Sequence, residues 1–163
     1  IEYALVLEDD MFLKDTFEQF MVSALEQVRE RARENRRPFW VGFEAPGLKY
    51  VPRSQRRKGQ VIYPASSLQC TGAYLINNSF AQMILRQARE YKCDVPVDWY
   101  VERVCRDEGL FDLYWTHPVL AEQGSHLGKM SSAIGNPLSG NRRWISIKRR
   151  LTVAYKKLVY FFR

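Results

Sequence analysis

The sequence is poor in cysteine, with only three in 163 residues, Cys70, Cys93 and Cys105. An odd number without Cys-x-x-Cys spacing indicates neither a disulfide framework nor a cysteine-ligated zinc site, and reduced thiols are the ordinary reading. Long apolar runs are also lacking: no stretch approaches the roughly 20 residues that would span a bilayer, and no signal-peptide core is visible. Acidic residues are missing from one end. Arg142 to Arg163 contains eight Lys and Arg and no Asp or Glu, and removing those eight from the total of 25 leaves 17 to face 18 acidic residues. The net charge of +7 therefore belongs to the tail. This argues against a nucleic-acid-binding domain and directs attention to what the tail touches. What is present is a folded-domain composition, 46% apolar and 13% aromatic with charges interspersed. A chain of this length buries about two-thirds of its unfolded surface.

The chain does not open on Met, and Ile1 to Leu7 reads as a strand. Tyr3-Ala4-Leu5-Val6-Leu7 is the continuous apolar run expected of a parallel strand buried on both faces. Such a strand needs neighbours, so part of the fold is expected to lie upstream. Glu8 to Lys14 reads as a polar turn, and Asp15 with Glu18 has the form of a capping box. The helix that follows carries Phe17, Phe20, Met21, Ala24, Leu25 and Val28 on one face and ends in the charged run Arg29 to Arg37. Phe39 to Phe43 reads as a second strand. The loop after it holds Pro46, Gly47 and Pro52 with Arg53, Arg56, Arg57 and Lys58, either a solvated loop or a cationic lid beside a phosphate site.

Val61 to Tyr63 and Gln69 to Ile76 read as further strands, the second interrupted at Thr71-Gly72, where glycine marks tight packing or the close approach of a ligand. Asn78 is the expected cap of a helix ending near Tyr91, a second helix begins near Asp98, and Leu110 to Trp115 is the last strand. Pro118 to Pro137 reads as mostly irregular. Strands alternating with helices specify an α/β domain over residues 1–141, followed by a basic amphipathic tail over 142–163.

Glu8-Asp9-Asp10 directly follows a hydrophobic strand, at the usual ligand edge of an open α/β sheet. Three adjacent carboxylates repel one another and are best tolerated where a hard cation, Mg²⁺ or Mn²⁺, neutralises them together with substrate phosphates. In extended backbone Glu8 and Asp10 can face one side while Asp9 faces the other. The alternative is an acidic turn before a capped helix.

The run Tyr3 to Leu13, then Thr71-Gly72-Ala73-Tyr74-Leu75-Ile76, then Val95-Pro96-Val97-Asp98-Trp99-Tyr100, and finally Pro118-Val119-Leu120 with Gln123 and Ser125, resembles glycosyltransferase family 25 over residues 3 to 132. The family includes bacterial lipooligosaccharide galactosyltransferases and collagen-modifying enzymes. The resemblance implies a GT-A-type mixed sheet flanked by helices, with the N-terminal part of the fold missing from this chain. It also implies a nucleotide-sugar donor, UDP-galactose being the commonest, a glycan or lipid-linked acceptor, and inversion at the anomeric carbon. By position, Asp10 corresponds to the metal ligand of a DxD-like motif, with Glu8 and Asp9 contacting the donor or metal-bound water. Gly72 and Ala73 match small residues that let a sugar lie against the backbone, and His126 falls where related enzymes supply a late metal ligand. An inverting transfer needs one general base, and Asp98 is the candidate, although Asp at a helix start is also an ordinary cap. His117 reads as structural.

The tail combines its eight cations with Trp144, Ile145, Ile147, Leu151, Tyr155 and Phe162, among other apolar residues. This suits a helix lying in an anionic membrane interface, on the inner, cytoplasmic face, or a helix packing its apolar side on the domain. Two other functions compete with the enzyme. A non-catalytic membrane-associated adaptor has no use for clustered carboxylates, and a Mg²⁺-dependent phosphotransferase usually shows a Gly-rich loop or an Asp nucleophile motif, neither of which is visible.

Overall fold

The computed structural model of the chain describes residues 2–35, 37–68, 70–109, 111–125, 127 and 142–162. Its elements in order are β1 (Tyr3–Leu7), β2 (Met11–Leu13), α1 (Phe17–Asn35), β3 (Phe39–Gly42), β4 (Ile62–Pro64), β5 (Ala73–Asn77), α2 (Asn78–Glu90), α3 (Val97–Glu108), β6 (Asp112–Thr116), β7 (Ala121–Gln123) and α4 (Arg142–Phe162). Short 3₁₀ turns at Pro46–Leu48 and Arg53–Gln55 shape the long loop between β3 and β4.

Five strands form a mixed sheet in the order β1-β5-β3-β6-β4, in which only β3 and β6 pair in parallel. Side chains alternate across each strand, so one sequence register feeds two cores. Phe39, Val41, Ala73, Leu75 and Tyr114 point to one face, where Phe17, Ala24 and Val28 of α1 cover them. Trp40, Tyr74, Ile76 and Leu113 point to the other, against Phe80 and Met83 of α2 and Tyr100, Val101 and Val104 of α3. Trp40 and Tyr74 stack there with ring centroids 3.6 Å apart. The result is an α/β domain with helices on both faces of the sheet.

Polar side chains fix the helices to the strands. On α1, Gln27 Oε1 accepts the backbone N–H groups of Val61 and Ile62 at 2.9 and 3.3 Å while its Nε2 donates to the Gly59 carbonyl at 2.8 Å. Helix α2 is capped by Asn77, whose Oδ1 accepts the Phe80 N–H at 3.0 Å. The expected cap, Asn78, is instead the first helical residue, because Asn77 keeps the extended backbone a cap requires.

The structure departs from the sequence reading in two places. β1 is antiparallel to β5 and lies at the sheet edge, with Leu5 and Leu7 each 41% exposed rather than buried on both faces. An apolar run reports hydrophobicity, not strand direction. The supposed polar turn and irregular segment contain a second, two-stranded sheet, where β2 pairs antiparallel with β7 in the register Met11 to Gln123. Each strand is three residues long, too short to show a period of its own.

Candidate functional site

Strands β1 and β3 flank β5, both antiparallel to it, so their carboxyl ends emerge side by side at its amino end. Each releases a carboxylate there. Glu8 follows β1, its N–H donating to the Gly72 carbonyl at 2.7 Å, and its Oε1 accepts the Thr71 hydroxyl at 3.4 Å. Glu44 follows β3, is 7% exposed, and its Oε1 accepts the Ala73 N–H at 3.1 Å. Burial pushes the Glu44 carboxyl up to about 7, against the lowering effect of the Ala73 and Gly72 N–H groups, and the charges of Glu8 and Asp10 add to the rise.

Asp10 completes the ledge. Its carbonyl accepts the Gly124 N–H at 2.8 Å, tying the turn to the end of β7, and its Oδ1 is buried with no hydrogen-bond partner among the described residues. Asp9 is exposed. Gly72 is buried, and a Cβ there would stand 2.6 Å from Met11 Sδ and 2.7 Å from Glu44 Oε1. The space beside this glycine is therefore occupied by the protein's own side chains. The Ala73 methyl lies in the core under α1, so this residue meets the site through its backbone.

Asp98 stands in the first turn of α3, where its Oδ1 accepts the Trp99 N–H at 2.9 Å, while Pro96 occupies the cap position. It shares an electrostatic neighbourhood with the ledge. The Cys70 thiol is pushed up to about 12 by burial first and then by the carboxylates of Glu44, Asp98 and Glu8, with Arg149 of α4 opposing them. His126 lies outside the described residues. His117 stands elsewhere, edge-on to Tyr63 with ring centroids 6.5 Å apart.

The sequence pattern of glycosyltransferase family 25 (LPS biosynthesis protein) matches residues 1–101. The chain belongs to this family. The match takes in the ledge from Glu8 to Asp10, Glu44, Gly72, Ala73 and the start of α3 with Asp98. Family 25 membership makes the chain a glycosyltransferase of LPS biosynthesis, with a nucleotide-sugar donor and a glycan acceptor as its classes of partner. Comparison with curated proteins and with solved structures finds no match.

For a family 25 glycosyltransferase the fit of a cation is a question of ligand number. Among the described residues no three His, Cys, Asp or Glu side chains group closely enough to hold a metal ion. A Mg²⁺-type ion shared with a substrate diphosphate needs only one or two carboxylates, the rest of its shell being water and phosphate oxygen. Asp10, with its orphaned oxygen, and Glu8 are the two ledge carboxylates that would have to supply them.

The residue that sequence reasoning missed is Glu44. The rule that singled out Glu8, a carboxylate leaving a hydrophobic strand, applies equally to Glu44 after Phe39-Trp40-Val41-Gly42-Phe43.

Proposed function

We propose that the Glu8–Asp10 ledge is the diphosphate end of a nucleotide-sugar site in a GT-A-type fold, and that the chain transfers a hexose, galactose from UDP-galactose being the first candidate, with inversion. The observation that carries this reading is the buried Asp10 Oδ1, without a hydrogen-bond partner among the described residues, near Glu8 at the carboxyl end of β1. An unsatisfied buried carboxylate oxygen costs on the order of 1–3 kcal/mol or more, a cost that coordination to a dication would remove.

In this reading Asp10 holds Mn²⁺ or Mg²⁺, with Glu8 contacting the same ion or its water. When bound, the cation neutralises charge on the departing diphosphate. Glu44, whose carboxyl burial pushes up to about 7, keeps the Gly72–Ala73 backbone in place behind the ledge. Asp98, on a rigid helix start, takes the acceptor hydroxyl proton.

The tail supports a membrane-surface location on the cytoplasmic face. No described helix is long and apolar enough to cross a membrane. On α4, Trp144, Ile147, Leu151, Tyr155, Leu158 and Phe162 are all exposed and recur every three or four residues, forming one stripe. The same helix also meets the domain, through Tyr160 edge-on to Tyr50 at 5.9 Å and Phe161 beneath the Arg53 guanidinium at 4.2 Å. Packing on one side thus leaves an apolar face with adjacent cations, the pattern of an interfacial helix.

The test is hydrolysis of, and transfer from, a panel of UDP-sugars by the full-length protein, with and without Mn²⁺ and with Asp10→Ala. Activity indifferent to both chelation and the substitution would remove the proposed mechanism.

A further inference from the structure

A cavity lies away from the acidic ledge. It encloses about 300 Å³ where α4 crosses the long loop and the segment after β6, and Lys14, Arg56, His117 and Lys157 line it. These four residues come from four separate parts of the chain. Lys14 follows β2, Arg56 follows the Arg53–Gln55 turn, His117 follows β6 and Lys157 lies on α4. Strand β2 separates the cavity from the ledge. Lys14 is four residues beyond Asp10 along nearly extended backbone, a span of about 13 Å.

The charge balance is lopsided. The one acid in the lining, Glu122, is paired with Lys14. Arg56 and Lys157 have no carboxylate partner among the described residues, and Arg56 Nε donates to the Val51 carbonyl at 3.0 Å. Lys157 sits over the Tyr50 ring at 6.0 Å. Folding has gathered like charges in a partly enclosed space, which is unfavourable unless a counter-charge enters. His117 registers the crowding: burial first, then Arg56 and Lys157, hold its imidazole below the usual histidine range. Pro118, Val119 and Phe161 supply apolar wall, as expected where a charged group carries an organic remainder.

We infer that this cavity is a binding site for a phosphate monoester, received by Arg56, Lys157 and Lys14. The two cations without an acidic partner among the described residues match the charge of about −1.5 to −2 that such a group carries at neutral pH. Arg supplies a planar two-pronged donor and Lys a compact point charge, the usual pair for phosphate recognition. This inference is independent of the cation proposed at the ledge. The phosphate can belong to a phosphorylated soluble ligand or to a lipid headgroup at the membrane surface, since α4 borders both the cavity and the exposed stripe.

Isothermal titration with glycerol 3-phosphate, at constant ionic strength and with chelator present so that no cation-bridged phosphate forms at the ledge, tests the site. Saturable binding is expected, weakened at least about tenfold by Lys157→Gln or Lys14→Gln, the scale of one lost charge-assisted contact. Lys157→Arg should retain it. Lys58→Gln, the same charge loss in the basic loop but outside the lining, should leave it unchanged. Flotation with phosphatidylcholine vesicles with and without phosphatidic acid then separates the sources. If Lys157→Gln also loses the response to phosphatidic acid, the headgroup is the ligand; if it loses only the soluble phosphate, a phosphorylated soluble ligand is. Heats no larger than those of matched chloride, or equal affinity in wild type, Lys157→Gln and Lys14→Gln, overturn the inference.

Discussion

Glu44 Oε1 accepts the backbone N–H of Ala73 at 3.1 Å, and this one contact joins the end of β3 to the start of β5 behind the acidic ledge. Because the Glu44 carboxyl is raised from 4.5 to about 7, the folded state holds its proton more tightly than the unfolded state does. Its contribution to stability is therefore full below about pH 4.5 and lost as pH rises through about 7. The scale is about 3 kcal/mol. Glu44→Gln, neutral throughout, should flatten that part of the pH profile and gain on wild type above neutrality. Urea midpoints of the chelator-treated protein on either side of the window measure this; parallel profiles for the two proteins would refute it.

Gly72 is needed for packing, whatever ligand approaches it. In Gly72→Ala the new methyl meets Met11 Sδ and Glu44 Oε1, both below 3.0 Å, and must push one aside. A loss of about 1–3 kcal/mol is expected. Met11 can swing away more cheaply than a buried carboxylate, so Gly72→Ala with Met11→Ala should recover only part of the loss. Chemical denaturation decides between the outcomes, and an undisturbed single variant would show that the contact yields freely.

Asn77 satisfies three backbone groups at once. Its Oδ1 takes the N–H groups of Phe80 and Phe39, at 3.0 and 3.1 Å, and its Nδ2 donates to the Arg37 carbonyl at 2.9 Å. Asn77→Ala should cost about 2–4 kcal/mol, the sum of a lost cap and a stranded N–H at buried Phe39. Asn77→Asp keeps both acceptor bonds and should cost much less. Equal losses in the two variants would mean that the Arg37 contact, not the cap, dominates.

The exposed stripe of α4 separates membrane binding from folding. Leu151 is 67% exposed, so Leu151→Asp should leave thermal stability within about 0.5 kcal/mol of wild type. It should abolish flotation with anionic vesicles, and wild-type flotation should weaken as salt is raised. Retained binding by the variant would assign the stripe a different partner.

Much of the architecture was legible in the sequence because it rests on local periodicity. The α1 stripe Phe17, Ala24 and Val28, the strand at Phe39 and the helices starting near Asn78 and Asp98 fall where spacing and turn residues placed them. Strand direction and the β2–β7 pair did not, because pairing joins residues far apart in the chain, Leu7 to Ala73 and Met11 to Gln123, and leaves no local trace.

The sequence alone determined which residues are chemically exceptional: three carboxylates after an apolar strand, a lone glycine at the head of another, and a tail of cations without acids. The tertiary structure decided their company. Only the fold sets Glu44 against Gly72 and Ala73, leaves Asp10 Oδ1 without a partner among the described residues, and gathers Lys14, Arg56, His117 and Lys157 around one cavity. The physical reason is that burial and electrostatic proximity belong to three-dimensional neighbours, and the same carboxylate or ammonium side chain is unremarkable until the chain closes around it.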